Sequence, residues 1–80
     1  MLLPAGAKQY GSSWVLNRWL VCLDRNPDVP GGRNVVMNID HVASFYHKSA
    51  EPSHTVVVMD NGHSYDVDED INNIMDALAS

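Results

Sequence analysis

The clearest pattern in the chain runs from Thr55 to Val67, "TVVVMDNGHSYDV", where apolar residues flank Asn61-Gly62 on both sides. Asn-Gly between two such runs is the strongest short hairpin signal, because both central residues of a type I′ turn need positive φ. A two-residue loop there pairs Asp60 with His63, Val58 with Tyr65 and Val56 with Val67. It thereby gathers Val56, Val58, Tyr65 and Val67 on one core face. Beyond the hairpin, Ile71, Ile74, Met75 and Leu78 recur at helical spacing as a single apolar stripe. Asp68 or Asp70 stands where an N-cap belongs, with the neighbouring acids at the positive end of the helix dipole.

Upstream, "WVLNRWLVCLD" (Trp14 to Asp24) fits two templates. Helical spacing groups Val15, Trp19 and Cys22, whereas alternation groups Val15, Trp19, Val21 and Leu23. Trp, Val and Cys favour the extended form, and the turn-rich "RNPDVPGGRN" follows. The expectation is therefore a strand from about Arg18 to Asp24, preceded by a short helical turn. "NVVMNIDHVASFYHK" is too long for one straight strand, and its alternation slips at Asn38 to His41, where Asx side chains turn the backbone. A bend there lets Val35, Met37 and Ile39 share one face before Val42 and Phe45 rejoin the core. "SAEPSH" closes a loop before the hairpin.

Residues 1–13 are small and polar and read as a flexible arm, leaving 14–80 as one small domain. The expected class is α+β: a small antiparallel sheet of three or four strands, with a C-terminal amphipathic helix packed on one face. Eighty residues bury only about 60–65% of the surface their unfolded chain exposes, so the core is thin. A composition 45% hydrophobic and 19% charged is nonetheless that of a folded chain.

Charge changes the picture of partners. The net charge is −5, and all five basic residues lie in the first 48 positions against three acids there, about +2; the remainder holds seven acids and no Lys or Arg, −7. No basic stripe exists to neutralise phosphates, which argues against direct nucleic-acid binding. The stretch "WVLNRWLVCL" is broken by Asn17 and Arg18 and falls far short of a membrane span. The start lacks a signal-peptide pattern, and a lone cysteine, Cys22, fits a reducing compartment, so a cytoplasmic location is expected.

Candidate chemistry is sparse. "DNGHSYDVDED" has too few acids before Gly62 for a calcium loop, and Asp68 stands six residues after it where a Glu belongs. His41, His47, His54 and His63 match no common zinc spacing. Asp40-His41 beside Ser44 or Cys22 lacks a nucleophile elbow, and no glycine-rich phosphate loop appears. No enzyme, metal or cofactor is expected. Phe45 and Tyr46 are adjacent on a strand and point to opposite faces, so one aromatic is left exposed. Trp14, Trp19, Phe45 and Tyr46 are accordingly the candidates for an apolar interface, including self-association.

From Asn34 to Leu78 the chain resembles the small FlbD-type bacterial proteins associated with flagella and swarming. Asn38, Val42, Thr55, Val57, Met59, Asn61, Gly62, Tyr65, Val67, Ile71 and Ile74 carry the likeness. Its hairpin-helix half is also similar to the end of LytTR-type response-regulator domains, which bind DNA where this chain is acidic. The resemblance implies the sheet-and-helix fold and brings no catalytic residue with it.

The functional expectation is a non-enzymatic interaction module, a small regulator or adaptor. Asp60, Asp66, Asp68, Glu69, Asp70 and Asp76 would meet a basic surface on another protein. The alternative keeps the charge and changes the purpose: a phage-encoded, anti-CRISPR-like inhibitor occupying the basic nucleic-acid channel of a defence nuclease.

Overall fold

A computed structural model describes residues 3–25, 33–48 and 54–80. Seven antiparallel strands and one helix follow in order among them: β1 (Lys8–Tyr10), β2 (Ser13–Leu16), β3 (Trp19–Asp24), β4 (Arg33–Asn38), β5 (Val42–His47), β6 (Thr55–Met59), β7 (Ser64–Val67) and α1 (Ile71–Leu78). The class is α+β as expected, with more strands than the three or four anticipated. The turn-rich 26–32 segment and most of the "SAEPSH" loop lie outside the described residues.

The extra strands come from the N-terminal third. Asn17 takes φ 56°, a left-handed conformation that Asn tolerates, and with Arg18 it forms a two-residue turn that sets Leu16 opposite Trp19. The Asn-Arg break in the apolar run is thus a hairpin turn, and β2 replaces the helical turn expected before β3. Residues 8–13 are not a loose arm either. Lys8 to Tyr10 pair with Val15 to Ser13, and Ser13 is buried.

β3 is the hub of the sheet. It pairs β4 along its full length on one side; on the other it pairs β2 and then, through Asp24, β7. β7 continues to β6 and β5, so the sheet curls into a half-barrel. The anticipated bend at Asn38 is a single 3-10 turn, Ile39–His41, in which the Asn38 side chain accepts from the Asp40 N–H. Val35, Met37 and Ile39 face inward before it, and Val42 and Phe45 pack on the core after it.

The Asn-Gly hairpin forms at the expected place but not in the expected register. Gly62 N–H donates to Met59 C=O and Met59 N–H to His63 C=O, while Gly62 has φ 89° and Asn61 does not have positive φ. This is a three-residue loop closing on a left-handed glycine. Thr55 therefore pairs Val67, Val56 pairs Asp66 and Val57 pairs Tyr65. A one-residue slip turns every side chain of a strand to its other face. Thr55, Val57 and Met59 point into the core with Tyr65 and Val67, and Val56 and Val58 point outward.

Asp70 caps α1, accepting from Asn72 N–H at 2.8 Å. Ile74 and Ala77 are fully buried with Leu78 beside them, whereas Met75 faces solvent. The apolar stripe is rotated toward Ala77 because Asn73, not Met75, reaches back into the structure.

Candidate interaction surfaces

Glu69 does not lie on an acidic face: it is 5% exposed and sits inside the molecule. Its Oε1 accepts from Ser13 Oγ at 2.7 Å and Ser12 N–H at 2.9 Å, and its Oε2 from Asn73 Nδ2 at 2.8 Å and Asp70 N–H at 3.2 Å. Thr55 Oγ1 donates to its main-chain carbonyl at 2.7 Å. A buried carboxylate is tolerated only when its lone pairs are met in this way. Glu69 therefore clasps the β1–β2 hairpin, β6 and the start of α1 together. Gly11 completes the clasp, since at φ 62° a Cβ there would run into Asn73 Nδ2 and the Glu69 carboxylate. Ser13 Oγ also lies 3.2 Å from Cys22 Sγ. Burial pushes the Cys22 thiol up to about 11; the Ser13 hydrogen bond opposes that and the nearby Glu69 charge adds to it. A thiol so protonated is a poor nucleophile.

The other acids named from the sequence are spread over the molecule, and several are already engaged. Asp60, at the β6–β7 turn, holds His41 Nδ1 at 2.8 Å. That contact raises the His41 pKa, first through the hydrogen bond and then through the carboxylate charge. Asp66 lies on the outer side of β7, 3.4 Å from Lys48 Nζ and 3.5 Å from Nδ1 of the buried His54. Asp68 meets Arg25 at 3.5 Å. Asp70 is the helix cap, and Asp76 is exposed on α1. Asp40, with its pKa lowered chiefly by the Arg18 hydrogen bond, pairs with that guanidinium at 2.7 Å.

The histidines do not converge: His41, His47 and His63 are exposed and His54 is buried. Among the described residues no three His, Cys, Asp or Glu side chains could hold one metal ion. Asp40 engages Arg18 and His41 engages Asp60, so neither is aligned with Ser44 or Cys22 as a triad. No helix among the described residues is long and apolar enough to cross a membrane.

The aromatic candidates divide. Phe45 packs against the core, and Tyr46 is exposed on the outer side of β5, opposite Val56. Trp14 and Trp19 stand on the outer face of β2–β3–β4, where register places Trp14 beside Val21, Leu16 beside Trp19 and Val36 beside Val21. Val21 points away from the core and is still only 6% exposed, because these neighbours roof it over. Around it Trp19 is 49%, Leu23 38% and Val36 58% exposed. The result is one contiguous apolar patch across three strands, with no charged side chain inside it among the described residues. Sequence reasoning named its two tryptophans, and alternation set Leu23 on the face of Trp19 and Val21, whereas the place of Val36 beside Val21 follows from the β3–β4 register. No protein-family model matches the chain, and neither a curated protein nor a solved structure matches it.

Proposed function

We propose that this chain is a non-enzymatic protein-interaction module that docks through the outer apolar face of β2–β3–β4. The observation that carries the reading is Val21, buried on the wrong side of the sheet by Trp14, Trp19 and Val36, with Leu23 continuing the patch. Isolated exposed apolar residues are ordinary, whereas a contiguous patch centred on tryptophan is what interface cores are made of. Covering a Trp, Leu or Val that is half exposed yields on the order of 1 kcal/mol each, a favourable share of an association whose remainder comes from the rest of the contact.

The acids have a lesser part in this reading. Asp60, Asp66 and Asp68 already face His41, Lys48 and Arg25, which weakens the field a basic partner or nuclease channel would feel. A FlbD-type setting would place the partner in flagella or swarming; the positions of that resemblance include no residue of β2 or β3. The buried Cys22 suits a cytoplasmic location.

The reading is tested by comparing two variants in affinity capture from cell extract. Trp19→Ser with Leu23→Ser should abolish capture of the partner, while Asp68→Asn with Asp76→Asn should retain it. The reverse outcome would return the function to the acids.

A further inference from the structure

Among the described residues the sheet has three open edges, and they are protected unequally. β1 is three residues long and begins with Lys8. β5 carries a bulge between Val42 and Ser44 and is followed by Lys48. Short strands, bulges and lysines are the usual guards against edge-to-edge pairing. β4 has none of them: it is six residues, regular in register with β3, and after Arg33 it carries no charge, "NVVMN". Among the described residues no strand pairs its other side.

The hydrogen-bond phase says which groups that edge offers. Ile39 N–H donates to Arg18 C=O at 2.8 Å, in the same register as the β3–β4 ladder. In an antiparallel pair hydrogen-bonded and open positions alternate. Met37 and Val35 thus spend their amides on Leu20 and Cys22, and the N–H and C=O of Asn34, Val36 and Asn38 face the open edge. Leu23 C=O, which accepts from Asp68 N–H on the opposite side of β3, is in the phase this requires.

We infer that β4 pairs with β4 of a second copy, antiparallel about a two-fold axis at Val36. Such pairing preserves inside and outside. Val36 meets Val36, Asn34 meets Asn38 across the outer face, and Val35 meets Met37 on the inner one. The three edge-facing positions of each strand are then satisfied by the same three of the other. Charge permits a self-partner: two chains of net charge −5 meet along a segment that carries no acid. The two apolar faces join at Val36, so the dimer presents one doubled docking surface. This inference goes beyond the docking reading and does not depend on what binds the outer face.

Sedimentation equilibrium of the full chain between roughly 1 μM and 1 mM, the range in which weak dimers dissociate, tests it. The expected result is a concentration-dependent dimer. Val36→Lys, a substitution at an exposed site, should weaken it about a hundredfold by setting two like charges directly opposite each other. Circular dichroism, and the melting temperature at concentrations where the wild type is monomeric, should stay unchanged in that variant, and Val36→Thr should dimerise as the wild type does. Amide exchange at Asn34, Val36 and Asn38 should be slowed in the dimer and fast in Val36→Lys. A monomer at every concentration would overturn the inference and leave an extended segment of another protein as the occupant of the edge. A dimer that survives Val36→Lys, or one that Trp19→Ser alone abolishes, would overturn it by moving the contact elsewhere.

Discussion

The outer side of β2–β3–β4 and the acidic region from β7 into α1 are opposite kinds of surface. The first collects apolar residues and leaves Trp19, Leu23 and Val36 uncovered. The second holds half of the chain's ten acids and gives several of them intramolecular work. Glu69 is an internal clasp, Asp70 is a cap, and Asp66 and Asp68 lie against Lys48 and Arg25. A count of charges along the sequence sees the acidic half as the surface poised for a partner. Placement reverses that order, because a paired surface charge is worth little to a newcomer and an uncovered tryptophan is worth much.

The largest effect expected within the acidic region belongs to Glu69. Glu69→Ala removes the acceptor of four donors in a closed site and should cost about 3 kcal/mol or more of unfolding free energy. Glu69→Gln should recover part of it. Chemical denaturation of both variants measures this, and a loss of a few tenths would mean that the clasp contributes little and that Glu69 belongs with the surface acids.

Two glycines sharpen the same contrast. At Gly11 an added methyl group meets both left-handed backbone and the Glu69–Asn73 pair, whereas at Gly62 nothing lies within 4 Å. Gly62→Ala should therefore cost about 1 kcal/mol, the conformational term alone. Gly11→Ala should cost about 2 kcal/mol or more, because a clash adds to it. Equal losses in thermal denaturation would show that the β1–β2 hairpin is not clamped to α1.

The smallest expected effect is at His41, on the exposed tie between the β6–β7 turn and the 3-10 turn. Asp60 raises its pKa, so the protonated form is favoured by folding. The tie thus supports the fold fully below the ordinary histidine value of 6.5 and loses that contribution as pH rises through the raised folded value. An NMR titration should find His41 above 6.5 in the wild type and near it in Asp60→Asn. No difference between the two would remove the coupling.

What was legible in the sequence was local. Asn38 marking a bend, Asp68 or Asp70 (in the event Asp70) capping a helix, and Val35, Met37 and Ile39 sharing a face each rest on residues a few positions apart. The face of β6 was not legible in the same way, because Asn61-Gly62 serves a two-residue and a three-residue loop equally, and the choice inverts the strand. The β2–β3 turn was hidden because Asn17-Arg18 interrupts an apolar run that reads as one segment. The Glu69 clasp was out of reach altogether, since Ser13 lies 56 residues away and nothing near Glu69 distinguishes it from the aspartates beside it. The outer apolar patch as a whole needed both the β2–β3 and the β3–β4 registers, and so emerged only with the fold.

The most direct test of the central claim is the salt dependence of partner capture by the wild-type chain. The captured fraction would be compared between about 50 mM and about 1 M sodium chloride, across which exposed charge interactions are screened to within a few ångströms. Docking through Trp19, Leu23 and Val36 predicts a partner retained, or held more tightly, at high salt. A partner released as salt rises would contradict the account and assign binding to the acids after all.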